Sequence, residues 1–591
     1  MAYKGGYCGK IAEVDLTTGT IKTIKLEDEF ARKYLGGVGF GTKILYDKVP
    51  AGTDPLSPQN IMMWMAGPLN GTSFHGQKLF MIFKSPLTGN LGFCKHGGGV
   101  AWELKFAGWD GVIVTGKSER PVYIYINDDT IEIKDASKVW GKDTMATGHL
   151  IREELRDPHI KVSCCGPAGE NLVRFASIQG ELGKSGARTG AGAVLGSKNL
   201  KALAVRGTKT VPLANPEKFH EATDRLRKML QPIPMMNFKR WGTGGYSMPV
   251  NHCKNFQKSY WPEVQRGCNS EAQEKMFWVK DYTCMGCPSV CFKRGVIRQG
   301  PFTGRVSENS EYDTSLLGLS CGVTDLHGFM NNVGLCDKLG LDGTSTGNVI
   351  AWAMECYEKG ILTKDDLDGL ELTWGNTVAM DKLIKKIAFR EGVGDLLAEG
   401  SKKAAQKIGK GAEEFTMQVK GLEIAAWDPR GYAIGESIMG MLVGTAIGYS
   451  TASRGGDHIT DETCDADATG ICTFGTMQIM GADIPMETVE LIKLATGWDD
   501  YSLEEYQTTH ERLWTLRRLF NVREGLGRKD DVLPDRLYTL PVSAGPLKGK
   551  VVPRDEFEAG LDTFYEQRGW NKEGIPTKES LKKLGIEELA V

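Results

Sequence analysis

Apolar and polar residues alternate over residues 11–16 and again over 21–26, with Thr17-Thr-Gly-Thr20 between the two runs. A period of two marks half-buried strands, and a short Thr/Gly link between them marks a hairpin. The pattern returns at 122–126 and 131–133, around Asn127-Asp-Asp-Thr130. Between and after these hairpins lie the glycine-rich stretches Gly36-Gly-Val-Gly-Phe-Gly41, Ala66-Gly-Pro-Leu-Asn-Gly-Thr72, His96-Gly-Gly-Gly99 and Gly183-Lys-Ser-Gly-Ala-Arg-Thr-Gly-Ala-Gly192. From about residue 216 the spacing becomes helical: 348–359, 378–390 and 395–408 read as amphipathic helices. The clearest helix is 505–524, with Leu513, Leu516, Leu519 and Phe520 on one face and Gly525 as its stop. The expected architecture is α+β: a β-rich base over 1–210, then mainly helical regions over 211–420 and 421–591, with no low-complexity linker.

Composition sharpens this picture at one point. Lys and Arg number 72 against 74 Asp and Glu, a net charge of −2, and 41% of the 591 residues are hydrophobic. Disorder, collagen-like repeats and a dedicated nucleic-acid surface are thereby excluded. Glycine is the outlier, with 74 residues where a share of about 7% is usual. That excess belongs in tight turns and where backbone approaches a bound group closely, so a large cofactor is expected. The amino terminus lacks the apolar core of a secretory signal. The uncharged run from Ser437 to Ser453 is 17 residues, shorter than a membrane span of about 20, and reads as a buried glycine-rich helix or loop. Fourteen cysteines in so long a chain are not a disulfide framework; they indicate a reduced cytoplasm with some thiolates reserved for metal.

The strongest local motif is Cys284-Met-Gly-Cys287-Pro-Ser-Val-Cys291. Three thiolates on one short loop select a soft metal, zinc or iron–sulfur. Structural zinc sites usually show a second Cys pair or two histidines. A single triple fits a [4Fe–4S] cluster with a distant fourth ligand, and Cys472 and Cys464 are the candidates. Cys472 ends Asp467-Ala-Thr-Gly-Ile-Cys472, which echoes Asp337-Lys-Leu-Gly-Leu-Asp342. Two copies of Asp-x-x-Gly-[Leu/Ile]-[Asp/Cys] suggest two copies of one ligand, and a carboxylate fork suits the N–H donors of a pterin edge. A glycine there would also end a helix in the left-handed conformation.

With these motifs stand Lys84-Ser-Pro-Leu-Thr-Gly89, Glu103-Leu-Lys-Phe-Ala-Gly108, Gly166-Pro-Ala-Gly-Glu-Asn171, Gly192-Ala-Val-Leu-Gly-Ser-Lys-Asn-Leu-Lys-Ala202, Asp428-Pro-Arg-Gly431 and Arg454-Gly-Gly-Asp-His458. Together they resemble the tungsten-containing aldehyde:ferredoxin oxidoreductase family over nearly the whole chain. The resemblance implies a tungsten ion held by two pterin dithiolenes (a tungsten bis-pterin, or tungstopterin), a Mg2+ ion bridging their phosphates, and a [4Fe–4S] cluster on Cys284, Cys287, Cys291 and Cys472. It places Asp337, Gly340, Leu341 and Asp342 at one pterin and Asp467, Gly470 and Ile471 at the other. Lys78, Lys95, Gly97, Gly98, Arg188 and Gly190 complete the implied cofactor-binding set. Glu311, Asp313 and His458 fall where the family keeps its catalytic carboxylate and histidine. A carboxylate there could activate water or accept a proton.

The implied activity is oxidation of an aldehyde to a carboxylate, with water as the oxygen source. Ferredoxin or a small iron–sulfur subunit would take the electrons, in an anaerobic cytoplasm, and the resemblance suggests a homodimer. Several positions depart from the family pattern. The segment between His458 and Asp467 is short, Gly435 to Gly448 reads as an insertion, Lys95 replaces an asparagine near the magnesium, and Lys78 replaces an arginine at the phosphates. Asn331 and Gly334 stand where some relatives bind an intersubunit iron, which is not expected here. The alternatives are an aromatic acyl-CoA reductase of the same family and an electron-transfer iron–sulfur subunit without a working tungsten site; a zinc-stabilised structural protein is more distant. No Gly-x-Gly-x-x-Gly fingerprint with its acidic partner supports direct nicotinamide binding.

Overall fold

The computed structural model describes residues 2–230, 238–243, 252–309, 313–431, 445–458, 460–476, 484–545 and 547–590. Both expected hairpins form: β1 (Lys10–Asp15) with β2 (Thr20–Lys25), and later β7 (Val122–Asn127) with β8 (Thr130–Asp135). The first hairpin extends into a sheet with β3 (Met62–Met65), β4 (Leu79–Lys84), β5 (Leu91–His96) and β6 (Gly111–Thr115), in the order β2-β1-β6-β3-β4-β5. The second extends with β9 (Lys161–Cys165), β10 (Ile178–Gln179), β11 (Ser185–Gly186) and β12 (Leu200–Arg206), in the order β8-β7-β12-β9-β10-β11. The two orders coincide once six is subtracted from each strand of the second. In both, the hairpin's first strand runs parallel to the sheet's last strand, and the other pairings are antiparallel. The base is thus built from one topology used twice.

Its two sheets share a core. Trp64, Met81, Phe83, Val112 and Val114 of the first pack with Ile124, Ile126, Cys165, Leu203 and Val205 of the second. Each large side chain buried this way contributes about 1.5–3 kcal/mol, which makes the base a rigid platform for its loops.

Helices Leu326–Leu339, Gly343–Glu358 and Thr377–Phe389 enclose a second core around Trp352, Leu383 and Ile387. The helix expected over 395–408 is instead two, Val393–Leu397 and Ser401–Ile408. Gly400 separates them with φ +86°, a left-handed angle that interrupts the helical ladder. Beyond it, Glu423 Oε1 accepts from both the Ser401 backbone N–H and hydroxyl at 2.9 Å. Helix Leu503–Arg523, capped by the Ser502 side chain, packs back onto the first sheet. The mainly helical middle region also contains a small sheet of β13 (Trp278–Tyr282), β14 (Phe292–Val296) and β15 (Val306–Asn309). Its first strand is largely exposed, so no apolar alternation announced it. The β13–β14 connection is the cysteine loop. Among the described residues no helix is long and apolar enough to cross a membrane.

Candidate cofactor and metal site

The two Asp-x-x-Gly motifs fold alike. Helix Leu326–Leu339 ends at Gly340 with φ 75°, and helix Cys464–Thr469 ends at Gly470 with φ 88°. After each glycine the chain runs antiparallel to a strand-like edge of the base, Leu341 opposite Ala176 and Ile471 opposite Gln77. Ser177 N–H donates to Gly340 O at 2.8 Å, and Lys78 N–H donates to Gly470 O at 3.0 Å. Asp342 N–H reaches Phe175 O at 3.1 Å; Cys472 N–H reaches Gly76 O at 2.5 Å. Each half of the duplicated base therefore docks one motif by the same backbone bonds. The helix-ending glycine and the candidate ligand turn are one feature, not competing readings.

The motifs border a cavity of about 290 Å³. Of the sequence-predicted residues, Lys78, Lys95, Gly97, Arg188, Cys291, Asp313, Asp337, Leu341 and Asp342 line it. Gly98 follows Gly97 on the same loop, and Gly190 closes a loop whose Arg188, Thr189 and Gly190 have φ of 76°, 61° and 89°. Left-handed non-glycine residues store strain of order 1–3 kcal/mol each and cluster at functional sites. Asp467 sits just behind the wall and accepts from Lys95 Nζ at 2.5 Å. Gly340, Gly470 and Ile471 support the turns without lining the cavity. Glu311 lies outside the described residues, as does most of the insertion expected over 435–448.

Asp313 begins the π-helical segment Thr314–Ser320, a geometry enriched at functional sites. Sequence reasoning missed Glu308 and Phe474 on this wall, and Lys184, Arg454 and Asp457 entered it only as parts of longer motifs. Glu308 carries no motif of its own; only the fold brings it to Asp337. Burial raises the affinity of both carboxyls for a proton, and Glu308 raises that of Asp337 further.

An ionic chain crosses the site. Arg188 lies 3.6 Å from both Asp342 Oδ2 and Asp457 Oδ2, and Asp457 also pairs with Arg454. Burial disfavours the Asp457 carboxylate, but Arg454, Arg188 and His458 together hold its pKa below the usual value. Arg188 Nη2 donates to Glu423 O at 2.5 Å and to Gly456 O at 3.0 Å. His458, next in sequence, is buried, and desolvation lowers its pKa to about 4. Its ring stacks on Trp427 at 5.1 Å, and Tyr449 Oη lies 3.2 Å from Nδ1.

The four predicted cysteine ligands lie in one neighbourhood, beside Lys78. A Cβ built on Gly97 would lie 2.8 Å from Cys284 Sγ, and Gly76 and Gly475 pack together between Cys472 and Cys287. Burial pushes the Cys287 thiol up to about 12, with further upward pressure from Cys472, Cys291 and Cys284. Burial works against the Lys78 ammonium, yet Cys472, Cys284, Cys291 and Asp467 hold its pKa above the ordinary value. Cys464 lies apart, 3.7 Å from His510 Nδ1. None of the fourteen cysteines is assigned to a disulfide. Among the described residues no three Cys, His, Asp or Glu side chains converge as they would on a single ion.

The residues fit an anionic, hydrogen-bonding cofactor. Asp342 Oδ2 and Asp467 Oδ2, one from each motif, and Gln179 Oε1 are buried acceptors without a hydrogen bond, and Arg454 Nε is a buried donor without one. Buried polar atoms are seldom left so, and a pterin edge would supply the donors. Lys78, Lys95, Lys184, Arg188 and Arg454 on or beside the cavity wall offer charge to phosphates.

Comparison with known proteins agrees. The family model for the aldehyde ferredoxin oxidoreductase N-terminal domain matches residues 11–207, and that for domains 2 and 3 matches 221–468 and 459–586. The tungsten-containing aldehyde ferredoxin oxidoreductase of Pyrococcus furiosus is 38% identical, over 99% of both chains. A WOR-like subunit of an aliphatic sulfonate oxidoreductase from the same organism is 33% identical, covering 98% of this chain and 97% of its own. Among solved structures, the active-site complex BamBC of benzoyl coenzyme A reductase with 1,5-dienoyl-CoA superposes with a TM-score of 0.82. It is 28% identical, over 100% of this chain and 98% of that one. The chain belongs to the aldehyde ferredoxin oxidoreductase family.

Proposed function

We propose that the protein oxidises an aldehyde to a carboxylate, with water as the oxygen source and ferredoxin or a ferredoxin-like subunit as electron acceptor. The observation that carries this reading is the 38% identity, end to end, with tungsten-containing aldehyde ferredoxin oxidoreductases. The reaction releases two electrons and three protons for each aldehyde and water consumed. When bound, the tungsten–pterin group would supply the two-electron acceptor, and a magnesium ion belongs to the same reading.

The chain's own residues do the rest. Asp337 and Asp342 hold one pterin edge and Asp467 the other, with Gly340, Leu341, Gly470 and Ile471 shaping the turns. Lys78, Lys95 and Arg188 neutralise phosphate charge beside Gly97, Gly98 and Gly190. His458, neutral in its buried setting, donates a hydrogen bond to the substrate oxygen. Asp313, with Glu311 near it in sequence, takes the proton of the attacking water. Cys284, Cys287, Cys291 and Cys472 hold a [4Fe–4S] cluster, a reading supported by the spacing of two and three residues and by the contact of Cys472 with Gly76. Only four residues separate Asp467 from Cys472, which keeps the electron path short.

A second reading, reduction of an aromatic acyl-CoA, is favoured by the full-length likeness to the benzoyl coenzyme A reductase complex. Anaerobic assay decides between them: aldehyde-dependent reduction of a viologen dye is expected. Turnover only with an aromatic acyl-CoA and a low-potential donor would replace the first reading with the second.

A further inference from the structure

His458 is held by two residues to which no motif draws attention. Trp427 precedes Asp428-Pro-Arg-Gly431, and its indole stacks on the imidazole with ring centroids 5.1 Å apart and planes 19° from parallel. Tyr449, on helix Thr445–Thr451, approaches from the side: its ring meets the imidazole at 71° with centroids 5.6 Å apart, and its Oη lies 3.2 Å from Nδ1. The Trp427 backbone N–H in turn donates to Tyr449 Oη at 3.3 Å. All three side chains are buried, Tyr449 completely. On the other side, His458 N–H is tied to Asp457 Oδ1 at 3.0 Å. Ring and backbone are therefore both fixed, on three sides, before any substrate arrives.

These contacts have a chemical consequence. A neutral imidazole has one N–H donor and one acceptor, and the partner of one nitrogen decides the role of the other. Tyr449 Oη accepts the Trp427 N–H and carries one proton of its own, which it can give to Nδ1. A ring accepting at Nδ1 bears its proton on Nε2. We propose that Tyr449 is the positioning residue of His458: anchored by the Trp427 backbone, its phenol orients the imidazole and selects the tautomer that donates from Nε2 to the substrate oxygen. The proposal rests on the reading of His458 as the residue that hydrogen-bonds substrate. Catalysis depends on such donors being aligned in advance, and a small misplacement costs rate more than affinity.

The test uses the anaerobically purified holoenzyme and Tyr449→Phe, which keeps the ring and removes only the hydroxyl. The expected result is a kcat lowered about tenfold, a KM within about twofold, and unchanged tungsten and iron content. In the His458→Gln background the same substitution should cost nothing further, because residues acting through one another are not additive. A spectroscopic arm needs no turnover. In oxidised enzyme with 15N-labelled histidine, the signal lost in His458→Gln should report Nδ1 as unprotonated and Nε2 as protonated, and Tyr449→Phe should shift it. The proposal is overturned if Nδ1 carries the proton in the parent enzyme. It is equally overturned if Tyr449→Phe lowers kcat by the same factor with and without His458. A parent enzyme inactive on every aldehyde, yet showing the expected tautomer, would refute the assigned reaction and leave the role of Tyr449 intact.

Discussion

Gly470→Ala probes the second motif at its tightest point. The backbone there has φ 88°, so an L side chain would cost about 1–2 kcal/mol in local strain alone. The added methyl would also collide with the Asn70 carboxamide, its Cγ being 2.7 Å away. Asn70 cannot yield easily, since it accepts from Gly67 N–H at 2.7 Å and donates to Lys78 O at 3.2 Å and Gly470 O at 3.1 Å. Overpacking at such a site costs a further 1–3 kcal/mol, for a total of about 2–5 kcal/mol. Gly549→Ala is the matched control: its φ is 83°, but nothing lies within 4 Å of the new methyl, so only the strain of about 1–2 kcal/mol remains.

The two variants should therefore differ by about 1–3 kcal/mol in urea unfolding followed by tryptophan fluorescence, a gap set by the overpacking term. They should differ more plainly in iron bound per chain, because Cys472 lies two residues beyond Gly470 and depends on the same turn. A Gly470→Ala protein as stable as Gly549→Ala, with full iron, would refute the argument that this turn holds the cluster ligand.

Three further outcomes are expected. Cys287→Ser should abolish the reduced-state EPR signal of the cluster while pterin content stays largely intact; an unchanged signal would remove Cys287 from the ligand set. Lys95→Met removes the ion-pair partner of the Asp467 carboxylate; Asp467 is 1% exposed but Lys95 is 27% exposed, so the cost lies between those of surface and buried pairs, about 1–3 kcal/mol. Chemical denaturation should show that loss at pH 7, and Asp467→Asn in the same background should recover part of it. Finally, burial lowers the pKa of His75, His96 and His458 to about 4 and of His252 to about 3, from 6.5. The unfolded chain takes up these protons first, so each group's contribution is whole above pH 6.5 and fades as pH falls toward its folded value. Each contributes a slope of about 1.4 kcal/mol per pH unit within that window. Stability measured from pH 7 to 5 should fall steeply, and a His252→Phe variant should fall less.

Much of this was legible in the chain because it is local. Both hairpins obey a period of two, and helix Leu503–Arg523 carries its apolar stripe and its Ser502 cap in sequence. The cysteine triple is compact enough to propose a soft metal from its spacing alone. Two Asp-x-x-Gly turns could be seen as a pair because helix termination and ligand presentation use the same glycine. What stayed hidden is assembled across distance. Of the duplicated sheet topology only the recurring hairpin pattern shows in the sequence; the pairing of the remaining strands depends on residues far apart in the chain. Strand Trp278–Tyr282 is too exposed to alternate visibly. Glu308 reaches Asp337, and Tyr449 reaches His458, only through the packing of separate elements, and neither has spacing that could single it out. Gly400 falls inside the helix that spacing predicts over 395–408, and its backbone angle divides that helix in two.

The central claim is that one chain holds a mononuclear tungsten site beside a four-iron cluster. Metal analysis of anaerobically purified protein, expressed with tungstate and molybdate supplied, tests it most directly. The expected result is about one tungsten for every four irons, the stoichiometry of one cubane cluster beside one mononuclear centre. Iron without tungsten or molybdenum would contradict the catalytic reading and point to an electron-transfer subunit; zinc alone would contradict the assignment of Cys284, Cys287, Cys291 and Cys472.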